Sequence, residues 1–149
     1  MQLVGQSVQP GRYITSGFEF CYWARLAGLS GEAGDVIVND TPTGRAVVEI
    51  LPSDVAFDSG DCGTWTGYVP GGIATTFGDG DWVVGQDIAP GQYSADATGG
   101  TCYWERASGF THEFGELITN DLPSGRPIVE IQPSDVRFTS RDCGTWTPL

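Results

Sequence analysis

The 149-residue chain has no lysine: all seven of its basic residues are arginine, against 19 acidic ones, for a formal net charge of −12. A field of that sign repels phosphate backbones and anionic lipid surfaces, so nucleic-acid binding is not expected. Histidine occurs once, at His112. With no second histidine and no cysteine spared for it, the usual nucleophile–base pairs lack their components, and no enzyme is expected. No apolar run approaches the roughly 18 residues of a membrane-spanning helix, so membrane insertion is not expected. Long amphipathic helical patterns are missing too. The opening residues Met1 to Gln6 have neither the basic start nor the apolar core of a secretory leader. Either a leader was removed, or the protein reaches an oxidising setting by another route, such as a virion surface exposed at host lysis.

What the chain does have, it has twice. Cys21-Tyr22-Trp23-Ala24-Arg25 returns as Cys102-Tyr103-Trp104-Glu105-Arg106, and Asp61-Cys62-Gly63-Thr64-Trp65 as Asp142-Cys143-Gly144-Thr145-Trp146, both 81 positions on. Val4-Gly5-Gln6…Pro10-Gly11-Arg12-Tyr13 pairs with Val84-Gly85-Gln86…Pro90-Gly91-Gln92-Tyr93 at an offset of 80. One residue was therefore gained or lost in the turn before the first cysteine, which marks that turn as a surface loop. About half of the aligned positions are identical, the signature of a duplication. The organisation expected is a first β repeat over 1–66, a linker over 67–81 and a second β repeat over 82–149.

Gly 22 and Pro 9 among many Val, Ile, Thr, Tyr and Trp favour short strands joined by tight turns. Each repeat reads as a strand pair around a Pro-Gly turn, the Cys-Tyr-Trp strand and a hairpin across Asp40–Arg45 or Asp121–Arg126. A last strand follows Pro-Ser-Asp and ends at Cys-Gly-Thr-Trp. The fold class is all-β: two similar small antiparallel β-sandwich-like domains, each with one internal disulfide. Domains of about 70 residues have marginal cores, and staples are common in them.

Four cysteines allow three pairings. The repeat makes Cys21–Cys62 and Cys102–Cys143 the economical choice, since each unit then carries its own bond. Zinc is disfavoured, because Cys-x-x-Cys spacing and histidine partners are missing; no cofactor is expected. Strand alternation puts Cys21, Trp23 and Arg25 on one face and Tyr22 on the other, with the same split in the second copy. This gives a core clamp of Trp23, Arg25, Trp104 and Arg106: indole over disulfide, guanidinium neutralised by a carboxylate. The tyrosines, Tyr22 and Tyr103, face away and are the candidate ligand or partner surface, since exposed rings stack on sugars. Asp79 and Asp81 are weak calcium candidates in a stretch that lacks a defined calcium-loop pattern. More often such a run is a solvated turn.

The ordered set Val-Gly-Gln…Pro-Gly-x-Tyr, Cys-Tyr-Trp-x-Arg, Asn-Asp…Gly-Arg, Pro-Ser-Asp-Val-x-Phe and Asp-Cys-Gly-Thr-Trp resembles a small domain of unassigned function. That domain occurs in exported proteins and lipoproteins of actinobacteria and in proteins of their phages. The resemblance covers nearly the whole chain and implies an extracytoplasmic, disulfide-bonded β module, with no catalytic or ligand residues to carry over. The chain departs from it in having no export signal or lipobox. Two roles are expected from these features. The first is an actinobacteriophage virion accessory protein, a capsid decoration or tail-associated protein whose partners are other virion subunits or a host-surface glycan. The alternative is a secreted cell-surface module that binds glycan or protein. In either role, linked copies would engage neighbouring sites with raised effective concentration.

Overall fold

Apolar and β-branched runs only a few residues long, cut by Gly, Pro, Asn and Asp, leave no stretch long enough to sustain a helix. The computed structural model describes all residues, Met1–Leu149. Its only helical pieces are single 3-10 turns at Ala33–Asp35 and Phe114–Glu116. The strands of the first repeat are β1 (Gln2–Leu3), β2 (Gly11–Thr15), β3 (Tyr22–Leu26), β4 (Val36–Asp40), β5 (Ala46–Ile50), β6 (Ala56–Gly60) and β7 (Thr66–Gly67). The second repeat forms β8 (Gly80–Val83), β9 (Gly91–Ala95), β10 (Tyr103–Ala107), β11 (Leu117–Asp121), β12 (Ile128–Ile131), β13 (Arg137–Arg141) and β14 (Trp146–Pro148).

Each repeat makes the same two antiparallel sheets. The orders are β1-β6-β3-β4 and β5-β2-β7 in the first repeat, β8-β13-β10-β11 and β12-β9-β14 in the second. The register at the centre is also preserved: Arg25 lies opposite Phe57, and Arg106 opposite Phe138. The chain divides into two units. One is Met1–Tyr68 together with Phe110–Phe114; the other is Val69–Gly109 with Gly115–Leu149. The stretch read as a linker thus belongs largely with the second unit, whose strand β8 begins within it at Gly80.

In the first unit Trp23 and Phe57 project from the four-stranded sheet onto Ala46, Val48 and Ile50 of β5. The second unit has a larger core, in which Phe77, Tyr93, Phe138 and Trp146 join Ile88, Val129, Ile131 and the two cysteines. The outer faces of the four-stranded sheets differ. Ala24, Leu26 and Ala56 form a small apolar cluster on one. On the other, Arg137 Nη1 meets Glu105 Oε1 at 2.5 Å and donates to Thr139 at 2.7 Å, and Thr139 donates to Asp81 at 2.7 Å. Strand β3 is consequently covered on both faces.

Both disulfides join the cysteines paired by the repeat, Cys21–Cys62 and Cys102–Cys143, with Cα atoms 4.4 Å apart in each. The second cysteine of each pair lies in a turn beyond the last core strand, not at the end of that strand, because the backbone bends back on both sides of it. Asp61 and Gly63 have φ of 56° and 77°, and Asp142 and Gly144 have 55° and 79°. Aspartate tolerates this left-handed region better than most residues and glycine adopts it freely, which accounts for Asp-Cys-Gly in both copies. The Thr15 hydroxyl donates to Cys62 O at 2.6 Å and ties the turn to β2.

Gly28 has a similarly local reason. A Cβ there would lie 2.6 Å from Asp35 Oδ1. The Asp35 carboxylate accepts the Ser30 hydroxyl at 2.5 Å and the Ser30 amide at 2.6 Å. The hydroxyl bond first, then the amide bond, holds its pKa below the ordinary 3.8.

Two outcomes follow. Replacing Cys102 and Cys143 by alanine should lower the stability of the second unit by about 4 kcal/mol in the chain-entropy account, read as a shifted urea-unfolding midpoint. Because the Asp35 pKa is depressed on folding, its bonds to Ser30 contribute fully above the ordinary value and are lost as pH falls through the lowered one. The Ser30 amide resonance should therefore titrate with a midpoint below 3.8, and the transition should vanish in Asp35→Asn.

Candidate functional site

The Cys-Tyr-Trp-x-Arg strand puts an arginine into each sandwich, and the Pro-Ser-Asp corner supplies its counter-charge. Arg25 Nε and Nη2 each donate to Asp54 at 2.8 Å, with both side chains 1 % exposed. Arg106 donates to Asp135 at 2.6 and 2.9 Å. The same carboxylates accept backbone N–H groups three residues upstream, Leu51 to Asp54 and Gln132 to Asp135, each at 2.9 Å. The corner is thus folded around the oxygen that neutralises the arginine. In the first unit Arg25 Nη1 donates further to Thr111 O at 2.7 Å and Glu113 Oε2 at 3.2 Å. Burial works against the Arg25 charge, but Asp54 and then Glu113 outweigh it, and its pKa is raised. The Arg106 pKa is raised too, by Asp135 first.

The indoles beside these arginines pack as apolar rings. Trp23 is fully buried and stacked on Phe57 at 6.2 Å, with the His112 ring edge-on at 4.9 Å. Trp104 stacks on Phe138, also at 6.2 Å. Neither Trp23 Nε1 nor Trp104 Nε1 has a hydrogen-bond partner. His112 takes a left-handed φ of 61° at the position aligned with Gly31, whose φ is 79°. Its Nε2 lies 2.8 Å from Val47 O, a geometry in which Nε2 carries the proton. The lone histidine is built into the first unit as a structural group.

Tyr22 and Tyr103 both face away from the cores and are half-buried. Each hydroxyl accepts from an asparagine of the neighbouring strand, Asn39 at 3.3 Å and Asn120 at 3.2 Å. Tyr103 also donates to Glu105 at 2.7 Å and has the Arg141 guanidinium 5.7 Å from its ring centroid. Its pKa is raised above 10.0, by burial first. Asp79 and Asp81 serve protein donors: Asp79 Oδ1 accepts from Ser140 at 2.8 Å and the Cys143 amide at 3.1 Å, and Asp81 accepts from Thr139 at 2.7 Å. No three His, Cys, Asp or Glu side chains gather as a metal site would need.

Sequence reasoning passed over the concave surface that Tyr13, Phe57 and Trp65 floor in the first unit. This groove of about 340 Å³ also takes in Val8, Ile50 and Ser59. Phe57 and Trp65 meet edge to face at 5.2 Å, and the Trp65 indole donates to Ser59 Oγ at 3.2 Å. The repeated Trp65/Trp146 was the available signal. It reads as a core lid in both copies, and only the structure separates them: Trp146 is fully buried, Trp65 only partly.

A family model for the Rv1352-like extracellular domain matches residues 1–66 and again residues 74–147. No curated protein and no solved structure gives a significant match. The chain belongs to the Rv1352-like extracellular domain family and carries the domain in tandem. The family description agrees with the secreted reading of the sequence and lends nothing to the virion reading.

The clamp yields a prediction. Asp54→Ala leaves the buried Arg25 guanidinium without its main counter-charge and should cost about 3–5 kcal/mol. Arg25→Met combined with Asp54→Leu removes both charges and should recover most of that loss in the same denaturant titration.

Proposed function

We propose that this tandem member of the Rv1352-like extracellular domain family is a secreted, non-catalytic module that works by binding a protein partner. The observation that carries the proposal is the open aromatic groove over Tyr13, Phe57 and Trp65. Apolar concavity edged by a few hydrogen-bonding groups is the usual form of a recognition site. Aromatic rings supply large contact area at low entropic cost. The reading also draws on how the other reactive side chains are used. His112 is hydrogen-bonded to a backbone carbonyl, and Asp54, Asp135, Asp79 and Asp81 each hold up the fold. The tyrosine face fits a glycan less well, since both hydroxyls already have partners.

The test is binding of the oxidised full chain to intact producer-cell surfaces and secreted protein fractions, compared with Trp65→Ala. Saturable binding that falls at least tenfold in Trp65→Ala is expected. Binding untouched by Trp65→Ala but abolished by Tyr22→Ala with Tyr103→Ala, and competed by free glycan, would replace the protein-binding reading with the glycan one. Turnover of a glycoside or ester panel by the purified chain, lost on substitution of a surface carboxylate, would overturn the non-catalytic reading.

A further inference from the structure

The connection between β10 and β11 contributes Phe110–Phe114 to the first unit, where it anchors along β5, the edge strand of β5-β2-β7. The Glu49 amide donates to Phe110 O, and His112 Nε2 lies on Val47 O, both at 2.8 Å. The Phe110 ring is 1 % exposed, with the Arg12 guanidinium 4.6 Å from its centroid. Arg25 Nη1 completes the anchor by donating to Thr111 O and Glu113. Beneath the segment Val47 is fully buried. A sheet edge takes up an added segment in this way, through the N–H and C=O groups that its own sheet leaves unpaired.

The second unit exposes the same edge. β12 ends the sheet β12-β9-β14 and pairs with β9 in the register that β5 has with β2: Glu130 opposite Gln92, as Glu49 is opposite Arg12. The Glu130 N–H and the Ile128 C=O therefore point away from β9. Ile128, aligned with the buried Val47, is 64 % exposed, and Glu130 is exposed beside it. Trp104 is partly exposed where Trp23 is fully buried. Arg106 bonds Asp135 through Nε and Nη2, and its Nη1 lacks the acceptors that Arg25 Nη1 has.

A second version of the anchoring loop is present in the chain. Leu29-Ser30-Gly31-Glu32-Ala33 aligns with Phe110-Thr111-His112-Glu113-Phe114 at the offset of 81. Both loops are closed by the same backbone bond, Ala27 amide to Asp35 O at 2.7 Å and Ser108 amide to Glu116 O at 2.8 Å. Both have a left-handed third residue and run into a 3-10 turn. Leu29–Ala33 is exposed throughout, Leu29 by 56 %, and the Leu29 and Ser30 carbonyls accept no backbone N–H. The loop thus holds its docking shape before it docks, which lowers the entropic cost of binding. We propose that the Leu29–Glu32 loop of one copy of this chain docks on the β12 edge of another. The Leu29 carbonyl takes the Glu130 amide, the Leu29 side chain covers Ile128, and Ser30 O and the Glu32 carboxylate take Arg106 Nη1. The His112 bond has no counterpart, since Gly31 has no side chain. A second copy is the source because the loop that matches this edge lies exposed in this chain, with an acid at the position that meets the arginine. Loop and edge are different surfaces, so the contact is heterologous and adds copies head to tail. It goes beyond the partner of the aromatic groove and does not depend on it.

The experiment is sedimentation equilibrium of the oxidised full chain at about 0.15 M salt, where a Debye length of roughly 8 Å screens the net charge of −12. Mass should grow with concentration, and the Glu130 amide resonance should move along the same curve while that of Glu49 stays in place. Leu29→Asp spoils the loop and Ile128→Asp the edge. Both side chains are exposed, so each variant should keep the wild-type urea midpoint. Each should weaken association about ten- to a hundredfold, the worth of one buried aliphatic side chain. Mixed together, the two variants should form a 1:1 dimer and nothing larger, because one keeps its edge and the other its loop. A chain that stays monomeric at every concentration would overturn the proposal. So would association that survives both substitutions, or a mixture that stays dissociated. Association that moves the Trp65 resonances and leaves Glu130 unmoved would also overturn it, because the contact would then lie in the groove.

Discussion

A guanidinium held inside a small β-sandwich is the constraint around which each repeat is arranged. Stripping water from Arg25 costs several kcal/mol, and an attraction of similar size is recovered only with good geometry and with every remaining donor satisfied. The Asp54 carboxylate meets that condition with two parallel bonds, and its own position is fixed by the Leu51 amide in the turn before it. Strand β3 and the Pro-Ser-Asp corner, 29 residues apart in sequence, are thereby one structural element. The second repeat reproduces the arrangement with Arg106, Asp135 and the Gln132 amide. A single exchange at either end leaves a buried charge without its counter-charge.

Around that shared centre the two copies have diverged. One outer face is apolar, with Ala24, Leu26 and Ala56; the other is polar, with Arg137 bridging Glu105 and Thr139. Arg25 is enclosed further by Thr111 and Glu113, whereas the Arg106 side chain is 18 % exposed. Duplication supplied the same scaffold twice, and substitutions at its periphery gave each copy different surroundings.

Much of this was legible from residue order. The 81-residue offset fixed which cysteines pair, because a bond within each repeat is the arrangement a duplicated unit can make before and after duplication. Trp23 and Ala24 are buried in different clusters, because alternation assigns a side chain to a face and does not say whether another cluster covers that face. The choice of Asp54 among the acids common to both repeats was not legible, since strand register brings the corner to the arginine and several carboxylates are equivalent in sequence. Nor was the assignment of Phe110–Phe114 to the first unit, which depends on long-range packing that local patterns do not encode. The aromatic groove escaped notice for a related reason: it is defined by what lies over Trp146 and not over Trp65, and the covering residue sits in a stretch that reads as a connector.

That connector alters what the duplication amounts to. Residues 74–79 join the repeats in sequence, yet Ala74, Phe77 and Asp79 hydrogen-bond to the second unit as part of its fold. A tandem protein is ordinarily read as bivalent, two equal surfaces on one string. Here one of the two aromatic surfaces is sealed by the string itself, so the sequence is doubled while only one of the two surfaces lies open.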